Sequence, residues 1–143
     1  EWDDVDGRGR GSPRYSGSAA AVSRMIIEGL FGIDWSLDKI ILTPRLAMKN
    51  GYIYIPNVSS DEFLSFKYKK LSSPNKNIAL IELSFGSNTE ATKEIHFVNN
   101  IDEFSISQIS FNGRVLYYNI KNGKAIVALA ANTGVLQITY NKP

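Results

Sequence analysis

The sequence predicts a mainly β protein, an antiparallel β-sandwich preceded by one α-helix. Three observations carry this. Apolar and polar residues alternate with period two along 64–69 and 81–85, the mark of strands with one face in a core. Asn-Gly pairs stand at 50–51, 112–113 and 122–123. Such pairs favour two-residue hairpins, because both turn positions need positive φ. Only the stretch 16–30 carries apolar residues at three- and four-residue spacing.

Residues 1–15 are rich in Gly, Arg and Asp and have no apolar period, which is loop chemistry. The helix is expected over 16–30. Ser16 or Ser18 can cap its start, since a hydroxyl accepts from the free amides of the first turn. Ala19, Val22, Ile26 and Leu30 form a stripe, and Met25 and Ile27 widen it. Gly29 and Gly32 are expected to supply the left-handed stop, and Trp35 to wedge helix against sheet. A helix apolar on more than one side needs neighbours on more than one side. No second helical segment follows, so a layer of partner helices is expected from elsewhere.

From Asp38 onward the pattern is β. Ile40 and Leu42 alternate, and Pro44 ends that strand or sets it at an edge. Asn50-Gly51 should turn a hairpin into Tyr52–Ile55. Leu64, Phe66 and Tyr68 share one face, with Lys67 and Lys69 opposite, and Lys67–Lys70 read as the wet side of an edge strand. A turn around Pro74 precedes Ala79, Ile81, Leu83 and Phe85 on a common face. Ile95 and Phe97 mark a short strand that points His96 the other way, toward solvent. Phe104 and Ile106 differ in parity from Ile109 and Phe111, which predicts a bulge at Ser107-Gln108. Strands over 114–120, 125–130 and 135–140 complete eight or nine in all, a spacing that favours a sandwich over a βαβ fold.

With 143 residues, 43% hydrophobic and 21% charged, the chain can bury a core. A net charge of +2 is too small to imply nucleic acid as a partner. No apolar run approaches the ~20 residues of a membrane span, and no signal peptide is visible after Glu1, so no membrane partner is expected and the compartment stays open. There is no cysteine, hence no thiolate metal site. The Asp4-Val5-Asp6-Gly7 run begins like a calcium loop, but Trp2 and Pro13 stand at its first and twelfth positions. No metal or cofactor is expected.

The run YSGSAAAVSRMIIEGLFGI at 15–33 resembles the last barrel helix of the six-hairpin (α/α-toroid) glycoside hydrolases. DKIILTPRL at 38–46 resembles the lead into their carboxyl-terminal β-sandwich. The resemblance implies that 1–36 is the terminal loop and last helix of an α/α-toroid catalytic domain, so that the helix is a barrel remnant, and that 37–143 is the C-terminal β-sandwich domain. It further implies a parent glycoside hydrolase acting on carbohydrate, with the remaining barrel of the same protein as partner. EWDDVDG at 1–7 resembles the segment that carries the general base in trehalase-like and glucosidase-like members, which sets Glu1 on that position.

Glycoside hydrolysis needs two carboxyl groups flanking the scissile bond. This chain offers at most one, so no activity is expected of it alone. Glu1 is the candidate base, with an ordinary exposed carboxylate as the alternative. Trp2 beside it is the candidate substrate contact, because aromatic faces suit the CH faces of sugars. Arg8 and Arg10 either pair with the neighbouring Asp residues or donate to sugar hydroxyls. Trp35, Tyr52, Tyr54, Tyr117 and Tyr118 are further stacking candidates, with cross-strand packing the commoner work of tyrosines. A different class of reading is a stand-alone carbohydrate-binding or protein-interaction sandwich.

Overall fold

The computed structural model describes residues 2–3, 8–9, 21–36, 38–46, 49–57 and 61–143. In chain order these form β1 (Trp2–Asp3), β2 (Arg8–Gly9), helix α1 (21–30), β3 (Ile33–Trp35), β4 (Lys39–Leu42), β5 (Gly51–Asn57) and β6 (Glu62–Leu71). There follow β7 (Ile78–Ser87), β8 (Thr92–Val98), β9 (Asn100–Ile101), β10 (Phe104–Phe111), β11 (Arg114–Val115), β12 (Asn119–Lys121), β13 (Lys124–Leu129) and β14 (Thr133–Asn141).

The alternating faces meet as two sheets. A seven-stranded sheet runs β11-β10-β14-β7-β6-β5, with β9 also on β10, and a five-stranded sheet runs β12-β13-β8-β4-β3. The long strands alternate buried and wet residues as the sequence pattern requires. Leu64, Phe66, Ile81, Leu83, Leu136 and Ile138 point from the larger sheet onto Ile40, Leu42, Ile95, Phe97 and Val127 of the smaller. This single core is what the alternation predicts for a sandwich. The fold is mainly β and rich in antiparallel pairs; β4 with β8 is a parallel pair inside the smaller sheet.

Both later Asn-Gly pairs make hairpins. Asn112, Gly113, Asn122 and Gly123 all have positive φ. The bulge also falls where parity broke, with the β10–β14 register shifting between Ile106 and Gln108. At the end of the sheet Gly134 lies under the Phe111 ring, which stacks on Phe85 at 6.1 Å. A Cβ on Gly134 would sit 2.1 Å from that ring.

Five expectations need correction. Asn50-Gly51 makes no hairpin: β4 and β5 lie in different sheets, and neither residue has positive φ. Asn50 Oδ1 instead accepts from the Lys70 amide at 2.8 Å, and Gly51 clears room for Leu46 and Phe31. The expected strand over 114–120 is two, β11 and β12, one in each sheet. The chain crosses between them because Leu116 and Tyr118 pack on the core edge. Lys67–Lys70 do not lie on an edge strand, since β5 covers β6 on that side. Gly29 stays within the helix, and Gly32 alone of the two has positive φ, at 63°. His96 is half-buried rather than open to solvent. The proposed caps Ser16 and Ser18 lie outside the described residues.

Candidate functional site

Glu1 and Arg10 also lie outside the described residues. Trp2 and Arg8 fall in β1 and β2, a short ribbon inside the stretch expected to be loop, where the register sets Trp2 across from Gly9 and Asp3 across from Arg8.

The helix is the least satisfied element described. Val22 is 56% exposed, Met25 71%, Ile26 44% and Leu30 44%. Ile27 packs against the core, so one flank meets the sandwich and the rest of the apolar surface meets nothing described. A contiguous bare apolar surface of this kind on a folded domain marks an interaction site. On the polar side Arg24 Nε donates to Glu28 Oε1 at 2.8 Å, one turn apart.

Backbone geometry fixes how this helix leaves the sandwich. Phe31 N–H reaches back five residues to Ile26 O at 3.0 Å, a wider winding than an α-turn. Gly32 then turns left-handed. Thr43 N–H donates to Gly32 O at 2.8 Å and Arg45 N–H to Leu30 O at 3.1 Å, extending the β3–β4 ladder to the helix end. Phe31 plugs the junction, edge-on to Phe66 with ring centroids 6.2 Å apart. Trp35, in β3, is half-buried on the core edge and so belongs to the sandwich side of this joint. Arg24, Glu28, Asp34, Thr43 and Arg45 line a polar cleft of 440 Å³ in the angle between helix and sheet.

Two polar sites lie on the smaller sheet. On its outer face Glu94 takes Lys39 Nζ at 2.8 Å and His96 Nε2 at 2.5 Å. The bond from Lys39, then that from His96, holds the Glu94 carboxyl below the usual carboxylate range. Residues two apart on β8 share a face, so this contact was readable from the sequence and was missed. On the inner face Lys93 is fully buried, and its amine donates to Thr89 O at 2.8 Å and Asn132 Oδ1 at 2.9 Å. Burial lowers its pKa. It ties the β7–β8 loop to the β13–β14 turn. Among the described residues no group of His, Cys, Asp and Glu could hold a metal ion, and no helix is long and apolar enough to cross a membrane.

The sandwich opens at one end into a cavity of 310 Å³ between the sheets, lined by Arg45, Tyr68, Phe97, Ile101 and Tyr140 among others. The Tyr140 hydroxyl donates to Val98 O at 3.0 Å. Burial pushes the Tyr68 phenol up to about 12 and raises that of Tyr140 too, aided by Tyr68 itself.

The comparisons with solved structures speak to fold. An α-L-rhamnosidase from Dictyoglumus thermophilum superposes with a TM-score of 0.55 at 13% identity, over 85% of this chain and 13% of that one. A β-L-arabinofuranosidase of glycoside hydrolase family 127, from Geobacillus stearothermophilus, gives 0.50 at 13% identity, over 86% of this chain and 18% of that one. This fold is shared with part of two glycoside hydrolases. The chain spans less than a fifth of either enzyme it matches. No protein-family model and no curated protein matches the sequence.

Proposed function

We propose that this chain is the carboxyl-terminal portion of a six-hairpin glycoside hydrolase, whose sandwich braces the catalytic barrel and has no activity of its own. On this reading 37–143 is the accessory sandwich, and 1–36 belongs to the last loop and helix of the α/α-toroid. β3 is then the strand that crosses from one part to the other, since it pairs with β4.

The observation that carries the reading is the bare helix. Its exposed Val22, Met25, Ile26 and Leu30 form the kind of surface that sibling helices cover. The two fold neighbours support the choice of partner, because in each the matched part is a small share of a larger hydrolase. A stand-alone interaction module would leave this surface exposed in the free state, at a cost in solubility.

If Glu1 is the general base, its partner acid comes from the barrel, and Trp2, Arg8 and Arg10 would face the sugar from the same loop. Reading the gene upstream of the Glu1 codon tests the proposal. An open frame encoding several hundred residues of helical hairpins is the expected result. A frame that starts at this point without them would refute it.

A further inference from the structure

The outer face of the larger sheet carries an aromatic strip. Tyr52 and Tyr54 are 63% and 53% exposed, so a large part of each side chain is open to solvent. They stand two residues apart on β5, so they share a face about 7 Å apart, on the scale of one sugar ring. Phe63 stacks on Tyr54 with ring centroids 5.7 Å apart and planes at 22°. That stack fixes the Tyr54 ring in advance, so less rotamer freedom is lost when a ligand settles on it.

The floor beside the strip is polar and low. Ser65 lies across from Tyr54 and Lys67 across from Tyr52. Gly86 and Ser84 follow on β7. Ser65 Oγ donates to Gly86 O at 3.2 Å, which leaves its lone pairs for an incoming hydroxyl. Lys67 is exposed and has no ion pair among the described residues. A second copy of this chain is a poor occupant. A two-fold contact through this face would bring two Lys67 ammonium groups into one interface with no carboxylate partner among the described platform residues, and Pro56 removes an amide from the β5 edge.

We infer that Tyr52, Tyr54 and Phe63, with Ser65 and Lys67, form a binding platform for an oligosaccharide carrying uronic-acid carboxylates. The ring faces take the CH faces of successive sugars, since the negative π-face meets weakly positive hydrogens. Ser65 bonds a hydroxyl, and the Lys67 ammonium selects the acid. The platform stands independently of the barrel reading, because it is built entirely on β5, β6 and β7.

Calorimetric titration of the 143-residue chain with an oligogalacturonate and with a neutral cello-oligosaccharide tests it. The acidic probe should bind and the neutral one bind more weakly. Tyr52→Ala and Tyr54→Ala should each weaken binding by up to about tenfold, and Lys67→Gln by about two- to fivefold with loss of its salt dependence. Tyr117→Ala should change nothing, since Tyr117 is exposed but off the strip. Absence of binding at millimolar oligogalacturonate would overturn the inference, as would binding unaltered in both strip variants or equal affinity for the neutral probe.

Discussion

Gly32→Ala should be among the most damaging single-methyl additions to this chain. Gly32 has φ +63, so a side chain there pays the left-handed strain of about 1–2 kcal/mol. Its Cβ would also lie 1.9 Å from Thr43 O and 2.6 Å from Thr43 C. That neighbour cannot easily retreat, because Thr43 N–H is bonded to Gly32 O at 2.8 Å and Arg45 N–H to Leu30 O at 3.1 Å. Adding roughly 1–3 kcal/mol for forced overpacking gives a loss of about 2–5 kcal/mol. Gly113→Ala is the matched comparison, with φ +80 but nothing within 4 Å of the added carbon. It should cost the strain alone. Gly29→Ala has open space and helical backbone, and should raise helix stability by about 1 kcal/mol. Urea unfolding followed by circular dichroism measures all three. A Gly32→Ala loss no larger than that of Gly113→Ala would refute the collision argument and the joint built on it.

Glu94→Gln should lower the melting temperature at neutral pH. The folded carboxyl titrates below its unfolded value, so its contribution is present above the unfolded pKa and fades as pH falls through the folded one; thermal melts of the two proteins should therefore converge in acid. Lys93 acts in the same direction at higher pH, from the opposite cause, since burial disfavours its charge. Its amine titrates below the ordinary lysine value of 10.5 once buried, so the folded chain holds fewer protons in that interval and stability should rise with pH across it. Lys93→Met should flatten that rise in urea midpoints taken as pH climbs toward the ordinary lysine value. Above the ordinary phenol range the trend should reverse. Tyr68 is pushed up to about 12, so stability is lost as pH climbs from the unfolded toward the folded value, and Tyr68→Phe should remove part of the loss.

The sandwich was legible because burial and alternation are the same fact seen twice. Leu64, Phe66 and Tyr68 could face a core only if Ser65 and Lys67 did not. The hairpins at Asn112 and Asn122 were legible because positive φ at two successive residues restricts the choice of side chain. Asn50-Gly51 has the same letters and a different cause: Asn50 accepts a long-range bond from Lys70, and Gly51 gives way to Phe31 and Leu46. No local rule separates the two. The crossing at Leu116 and Tyr118 was hidden for a related reason, since alternating apolar residues read as one strand whether or not the chain changes sheet. Lys93 shares the parity of Ile95 and Phe97, so position placed it inside while chemistry argued for outside. The bare helix was foreseeable from its width of apolar surface, but its wide final winding and its tie to Thr43 and Arg45 depend on partners far along the chain.

Amide hydrogen exchange along the helix tests the central claim most directly, compared between the 143-residue chain and the product of its full reading frame. Covering four half-exposed apolar side chains at roughly 0.5–1 kcal/mol each should slow exchange near Met25–Leu30 by about a hundredfold in a product that carries the proposed barrel. Equal exchange in both, with the β7 and β14 amides protected alike, would mean that nothing docks on this helix.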